Sequence, residues 1–157
     1  MIKGVFFDLD GTLIKSMQIH YLGWKTVLLE HDIELKKLDF FLDEGTKLEN
    51  LITKIFKNNS KKINNILIKN LIKNKNNHYL QNYKTVFYPG VLSLINYLKY
   101  NKIYLSIVTA GTKSRVKKSL PSKFLNKFDH IITGDDYLKG KPHPDPYLKA
   151  LKKSKLK

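Results

Sequence analysis

A short apolar run that stops at two acids constrains this chain more than any other stretch. Val5-Phe6-Phe7 is followed by Asp8-Leu9-Asp10-Gly11, so the run predicts a buried strand with a loop at its carboxyl end. In open α/β sheets, that end is where ligands bind. A turn at Gly11 can bring both carboxylates to one site, where they would repel each other unless a cation lay between them. Because hard cations such as Mg²⁺ prefer oxygen ligands, the stretch indicates either a metal site or a solvated acidic turn.

Length and composition bound the class of protein. The chain has 157 residues, which is enough for one ordinary domain or for a small core with an insert. It has no cysteine, which excludes disulfides and thiolate metal sites. No apolar stretch approaches the ~18 residues that span a membrane, and the amino terminus does not have the pattern of a signal peptide. We therefore expect a cytoplasmic protein without a membrane partner.

The charge of the chain is strongly positive, with a net value of +16. Arg115 is the only arginine among the 29 basic residues, and the lysines are spread over the whole chain. Proteins that read bases usually rely on arginine forks, so we expect no nucleic-acid partner. A basic nucleic-acid binder is the alternative, and it would show a steep salt dependence of affinity. The positive field can also attract phosphorylated substrates.

Helical periodicity begins after Ser16, which we expect to be an N-cap. The first helical face carries His20, Trp24, Val27, Leu28 and His31. Two further segments follow, one with Leu48, Leu51, Ile52 and Ile55 in phase and one with Ile63, Ile66, Leu67, Leu71 and Ile72. The Asn-Lys stretch at 74–77 predicts a frayed or looped end. The pattern as a whole predicts a small helical bundle that interrupts an α/β chain.

Alternation of helix and strand resumes after Pro89-Gly90. Strands are predicted at 103–108 and 129–133, with a helix at about 113–120 between them and an earlier helix that buries Val91, Leu94, Ile95 and Leu98. A last helix is expected to have Asp145 as its N-cap and Pro146 at its first position. This order predicts the α/β class, with a parallel sheet.

The stretch Asp8-Leu9-Asp10-Gly11-Thr12-Leu13 resembles the first motif of the haloacid dehalogenase-like (HAD) phosphohydrolases. The resemblance implies that Asp8 is a nucleophile that forms an aspartyl-phosphate, and that Asp10 is the general acid and base. It also implies that Asp8 and the main chain of Asp10 bind Mg²⁺. Because the true dehalogenases of the family lack an acid at the position of Asp10, phosphoryl transfer is favoured over dehalogenation.

Two later stretches resemble the second and third motifs of the family. Thr109, in Val-Thr-Ala-Gly-Thr, is implied to hold phosphoryl oxygens together with backbone N–H groups such as that of Ala110. Lys141, in Gly-Lys-Pro-His-Pro-Asp-Pro, is implied to neutralise the nucleophile and the phosphoryl group. Thr12 is implied to orient the same group. The alternatives are an ordinary threonine at a strand end and one surface lysine among many.

The resemblance also implies a division into domains. Residues 16–83 are similar to the helical cap of the branch that holds phosphosugar phosphatases, phosphoglycolate phosphatases and β-phosphoglucomutases. Residues 1–15 and 84–157 then form a Rossmann-like parallel sheet core into which the cap is inserted.

Three residues of the predicted cap are candidates for a role near the substrate. His20 and Trp24 resemble the His-x-x-x-Trp that opens the cap in phosphosugar members, and Gly45 resembles a glycine of the cap loop that faces the substrate. The alternative for His20 and Trp24 is a buried helix face, and the alternative for Gly45 is a turn before a helix.

The fourth motif of the family, a strand that ends in acids binding Mg²⁺, has no counterpart. The sequence reaches Lys157 while still in the predicted last helix. Asp135 and Asp136 are the only substitute, and we predict that they belong to a strand-end loop, with metal binding as the alternative. We therefore expect an incomplete core that lacks its carboxyl-terminal strands. The chain would then be either a fragment of a longer product or a protein completed by another chain.

Taken together, the motifs predict a Mg²⁺-dependent phosphatase that hydrolyses a small phosphorylated metabolite, such as a phosphosugar, through an aspartyl-phosphate. A phosphotransferase similar to β-phosphoglucomutase is one alternative. A catalytically inactive fragment that at most binds phosphate or a partner chain is the other.

Overall fold

The computed structural model describes residues 1–156, which fold into a three-stranded parallel sheet and eight α-helices. The strands are β1 (Gly4–Phe7), β2 (Tyr104–Val108) and β3 (His130–Ile132). The helices are α1 (Met17–Leu29), α2 (Lys37–Leu42), α3 (Leu48–Asn58), α4 (Asn65–Asn82), α5 (Val91–Tyr100), α6 (Lys113–Ser119), α7 (Ser122–Leu125) and α8 (Asp145–Ser154). The predicted α/β class with a Rossmann-like parallel sheet is confirmed.

The order of the sheet is β1-β2-β3, with Phe7 of β1 opposite Ile107 of β2. Since the strands are parallel, the residues that follow them, Asp8, Thr109 and Thr133, lie at the same edge of the sheet. Within residues 1–156, β1 pairs with β2 alone and therefore lies at one side of the sheet.

Two large hydrophobic clusters fill the interior. One belongs to the helical segment: its buried residues are Trp24, Val27, Leu28, Ile33, Leu35, Phe40, Leu51, Ile52, Ile55, Phe56, Ile68 and Leu71. The other surrounds the sheet: its buried residues are Leu9, Leu13, Ile14, Val91, Ile95, Leu105, Ile107, Val116, Leu120, Phe124 and Phe128. The helices α1 to α4 thus bury their apolar side chains largely against one another, as amphipathic helices in a bundle do.

Two chain segments that lie side by side connect the sheet to these four helices. Ile14 and Phe87 form an antiparallel bridge, and the N–H of Lys15 donates to the carbonyl of Val86 at 2.8 Å. The two connections are therefore adjacent.

The prediction of a frayed or looped segment at 74–77 is wrong. These residues lie inside α4, which continues to Asn82, and both Lys75 and Tyr79 are buried. Asparagine is a poor helix former, but the contacts that Lys75 and Tyr79 make with α1 stabilise this part of the helix.

Other boundaries also differ from the predictions. The helix α8 begins at Asp145 after Pro144, so Asp145 is the first helical residue and not the N-cap. The helix α1 ends at Leu29, so His31 lies beyond it. The helices α2 and α7 have six and four residues, which is too short for a periodic pattern to reveal them.

Substitution of Leu71 by alanine tests the hydrophobic cluster between the helices α1 to α4. Leu71 is buried on α4, whereas Ile66 on the same helix is exposed. We expect Leu71→Ala to lower the free energy of unfolding by about 2–5 kcal/mol, because it removes buried methyl groups and leaves a cavity. Ile66→Ala should change it by about 0.5 kcal/mol or less. Urea unfolding measures both, and equal losses would contradict the packing described.

Candidate active site

A cavity opens where the carboxyl ends of β1 and β2 face the helical segment. The sheet side contributes Asp8, Asp10, Thr109, Ala110, Gly111 and Arg115, and the helical side contributes His20, Trp24, Phe40, Asp43, Glu44, Gly45, Thr46, Leu48, Leu51, Lys75 and Asn76. Its free volume is about 30 Å³, which is room for roughly two water molecules. The cavity therefore has little free space.

Asp8 and Lys141, which are far apart in the sequence, form an ion pair at the sheet side of this cavity. Lys141 Nζ lies 2.7 Å from Asp8 Oδ1 and also donates to the carbonyl of Val108 at 3.0 Å. It lies 5.2 Å from the centre of the Tyr147 ring. The Asp8 side chain is 31% exposed, so it is partly accessible to a ligand.

Asp10 is buried and receives hydrogen bonds from four side chains. Its Oδ1 accepts from the Ser16 hydroxyl at 2.7 Å, from His20 Nε2 at 2.9 Å and from Arg115 Nη1 at 3.1 Å. Its Oδ2 accepts from Arg115 Nη2 at 2.5 Å and from the Thr109 hydroxyl at 3.3 Å. Ser16 is the N-cap residue of α1, as predicted, but its hydroxyl donates to the Asp10 carboxylate and makes no capping hydrogen bond.

Arg115 was not predicted to belong to the site. It follows the second motif by one helical turn, and its side chain is only 2% exposed. Burial of Asp10 opposes its ionisation, but the charge of the Arg115 guanidinium and the hydrogen bonds from His20 and Arg115 together outweigh that effect and hold the pKa of Asp10 well below its ordinary value. The one signal in the sequence was composition, since Arg115 is the only arginine of a chain rich in lysine.

A stack of side chains continues from Asp10 into the helical segment. Lys75 Nζ lies 2.7 Å from His20 Nδ1, and the imidazole stacks on the Tyr79 ring with centroids 4.2 Å apart. A neutral His20 that donates from Nε2 to Asp10 and accepts from Lys75 at Nδ1 satisfies both contacts. Burial and, next, the charge of Lys75 lower the pKa of His20 to about 3, which agrees with a neutral ring. Burial and the charge of Arg115 lower the pKa of Lys75 to about 7.

Comparison with known proteins decides the family. The sequence model of the haloacid dehalogenase-like hydrolase family matches residues 5–157. The chain belongs to this family. The HAD-type hydrolase class expected from the motifs is confirmed at that level.

Curated relatives of this HAD-like chain include pyrophosphatases. The pyrophosphatase PpaX of Bacillus cereus is 30% identical over 155 residues, which are 96% of this chain and 68% of that protein. PpaX of Oceanobacillus iheyensis is 27% identical over 153 residues, which are 97% of this chain and 69% of that protein.

Solved structures of similar fold include a candidate β-phosphoglucomutase from Bacteroides vulgatus, with a TM-score of 0.85 and 26% identity. The alignment covers 99% of this chain and 64% of that one. A hydrolase from Pseudomonas syringae has a TM-score of 0.83 and 25% identity, over 96% of this chain and 70% of that one. The HAD-like chain thus spans about two thirds of the length of the proteins it matches.

The predicted phosphate-binding residues differ in their placement. Thr109 is buried, and its hydroxyl accepts from the N–H of Gly111 at 3.0 Å while it donates to Asp10. Ala110 lines the cavity beside it. Thr12 is exposed in the turn after β1 and does not line the cavity, so the structure does not bring it to the other site residues.

The loop between α2 and α3 closes the cavity from the helical side. Gly45 has a φ of 81°, a left-handed conformation that favours glycine, and a Cβ added there would lie 3.3 Å from Lys141 Cδ. The loop therefore faces the Asp8–Lys141 pair. Beside it, Glu44 lines the cavity, and partial loss of solvent around its carboxyl group together with the nearby Asp10 carboxylate raises the pKa of Glu44 to about 7.

The positions of His20 and Trp24 are compatible with both interpretations of the sequence, and a role near the substrate remains a prediction. Both residues are buried on one face of α1, and they also line the cavity. The apolar side of α1 is therefore continuous with the wall of the site.

The described residues fit a magnesium ion only in part. Asp8 offers a carboxylate oxygen, but residues 1–156 contain no group of three or more acidic or histidine side chains placed to hold a metal. Asp135 accepts from the N–H of Lys113, and Asp136 forms a capping box with Thr133. Both acids thus make local contacts that stabilise turns, as expected for a strand-end loop.

Among the helices within residues 1–156, none has the length and apolar character needed to cross a membrane.

The pH dependence of stability tests the environment of Lys75. A folded-state pKa of about 7 is lower than the 10.5 of an unfolded lysine. Between these values the unfolded chain binds more protons, so the free energy of unfolding should rise with pH. We expect the wild type to gain on the order of 1–2 kcal/mol relative to Lys75→Met between pH 7 and 9. Urea unfolding at both pH values measures this difference, and a constant difference would contradict a lysine with a lowered pKa.

Proposed function

We propose that the chain acts as a HAD-type phosphohydrolase on a small phosphorylated compound, with Asp8 as the nucleophile. The observation that carries this proposal is the ion pair of Lys141 with Asp8, a residue that lines the cavity at the carboxyl ends of β1 and β2. A partly accessible carboxylate with a cation fixed beside it is suited to attack on an anionic phosphoryl group.

The proposed reaction has two steps. In the first, Asp8 Oδ forms a bond to phosphorus, the bond from phosphorus to the leaving oxygen breaks, and that oxygen takes a proton. In the second, water attacks the aspartyl-phosphate and releases inorganic phosphate. Lys141 neutralises charge in both steps, and backbone N–H groups after Thr109 hold phosphoryl oxygens at the start of α6. Asp10 must be protonated when the substrate is bound; it then gives its proton to the leaving oxygen in the first step and regains one from the attacking water in the second.

Substrate entry requires the helical segment to move, since the cavity is too small for a phosphate ester. We propose that residues 16–83 act as a cap over a core formed by residues 1–15 and 84–157. The separate hydrophobic clusters and the paired connections at Ile14 and Phe87 support this division. Opening about the connections would expose Asp8 and Lys141.

We propose the class of substrate from the net charge of the chain and from the names of the proteins that it resembles. The net charge of +16 favours anionic ligands. Names among the matched proteins mention pyrophosphate, β-phosphoglucose and phosphoglycolate chemistry. A panel of inorganic pyrophosphate, phosphoglycolate, β-glucose 1-phosphate and an aryl phosphate, each with Mg²⁺ or with a chelator, would rank these classes and test the predicted cofactor.

A phosphomutase is the second candidate, supported by the similarity of fold to β-phosphoglucomutases. Product analysis separates the two: a mutase passes the phosphoryl group to sugar, whereas a phosphatase releases inorganic phosphate. A cytoplasmic location, the absence of a nucleic-acid partner and completion by another chain remain predictions.

Replacement of Asp8 tests the nucleophile. Asp8→Asn keeps the shape of the side chain but removes the attacking charge, so we expect turnover to fall by several orders of magnitude. Asp39→Asn, on the exposed surface of α2, removes the same charge away from the cavity and should leave turnover unchanged. Release of phosphate measures both. Equal activity of wild type and Asp8→Asn would refute the proposed chemistry, and an inactive wild type would favour the inactive-fragment alternative.

Replacement of Lys141 separates a placed charge from bulk charge. We expect Lys141→Ala to weaken binding of inorganic phosphate by tenfold or more, because this ammonium is held against Asp8 and the carbonyl of Val108. Lys152→Ala, on the exposed face of α8, should change it less than twofold. Calorimetric titration with phosphate measures both affinities, and similar losses would indicate that only net charge matters.

A further inference from the structure

The carboxylate of Asp10 has no lone pair left for a substrate. A carboxylate offers about four acceptor positions, and Asp10 already accepts five hydrogen bonds, from Ser16, His20, Thr109 and both terminal nitrogens of Arg115. An acid or base must reach the proton that it transfers at hydrogen-bond distance. At least one of these donors must therefore leave before Asp10 can meet a leaving oxygen.

Arg115 is the donor whose departure would free most of the carboxylate. It contributes two of the five bonds, one to each oxygen, and it contributes the formal positive charge. It also lies on α6, directly after the loop of Thr109 and Ala110 that we propose as the phosphate-binding loop. Both Arg115 and this loop line the same cavity as Asp8.

The surroundings of the guanidinium are shaped to hold it at this place. It lies 5.3 Å from the centre of the Tyr79 ring. A Cβ added to Gly111 would come within 1.9 Å of Nη2, so the position of Arg115 depends on the absence of a side chain at Gly111. The planar fork matches a phosphoryl group as well as it matches a carboxylate, since both offer two oxygens at suitable spacing.

We propose that Arg115 is an exchange residue: at rest it holds the Asp10 carboxylate, and when a phosphoryl dianion enters it transfers its fork to that group and releases Asp10 toward the leaving oxygen. This inference rests on the proposed function for the role of the released Asp10. Recognition of the dianion by Arg115 does not depend on turnover, and it can be measured without any reaction.

Four proteins test the exchange by calorimetric titration with inorganic phosphate: the wild type, Asp10→Asn, Arg115→Met and the double variant. Asp10→Asn removes the competing charge and should raise phosphate affinity severalfold, because the guanidinium becomes free to bind. Arg115→Met should lower affinity about tenfold. In the double variant, the gain from Asp10→Asn should disappear, since it acts through Arg115.

Two further variants keep the test independent of folding defects. Gly111→Ala retains every charge but displaces the guanidinium, so it should reproduce the loss seen in Arg115→Met. Lys117→Met removes one positive charge from the exposed face of α6 and should leave phosphate affinity within twofold of wild type. Cooperative unfolding of each variant confirms that it is folded.

The outcomes decide between exchange and simple charge removal. If the double variant keeps the gain of Asp10→Asn, removal of negative charge alone explains the affinity and the proposal is overturned. Absence of phosphate binding by Asp10→Asn would overturn it as well. If the binding pattern holds while no substrate of the panel is turned over, the recognition of the dianion by Arg115 stands and the proposed hydrolase activity fails.

Discussion

The burial of the Asp10 carboxylate is the constraint on which the site depends. A buried charge is costly unless it is paired and hydrogen-bonded, and removal of one partner of such a pair typically costs about 3–5 kcal/mol. Arg115 supplies the opposite charge from α6, and Ser16 and His20 supply hydrogen bonds from the start of α1. One carboxylate thus joins the sheet to the helical segment, so its partners also determine how the two parts meet.

The same arrangement gives the two acids of the first motif, Asp8 and Asp10, different environments. Asp8 lies beside Lys141 with part of its side chain accessible, whereas Asp10 is enclosed by donors. A nucleophile needs to be accessible and to have a cation nearby, and Asp8 meets both needs in part or in full. An acid or base needs a free position, which Asp10 would gain only after its partners move. In this view, movement of the helical segment and exchange by Arg115 prepare the site for reaction.

The sequence predicted much of this site because its residues lie in local patterns. Asp8, Thr109 and Lys141 follow strands or lie in a prolyl turn, and parallel strands bring such positions together at one edge. Arg115 and Lys75 were not predicted, because each reaches the site through a helix face whose orientation depends on packing. The continuation of α4 through the Asn-Lys stretch was missed for the same reason, since contacts with α1 stabilise residues of low helix propensity.

The α/β class, the HAD family and the positions of the two candidate acids, Asp8 and Asp10, could be recognised from the amino-acid sequence, because they follow from apolar periodicity and from short motifs. The pairing of the charged side chains, in contrast, depends on the fold. Asp10 and Arg115 are 105 positions apart, and no periodicity relates them. Electrostatic interactions act over a few ångströms in space, whereas sequence patterns act over a few residues along the chain. The partner of a buried charge is therefore known only once the chain has folded around it.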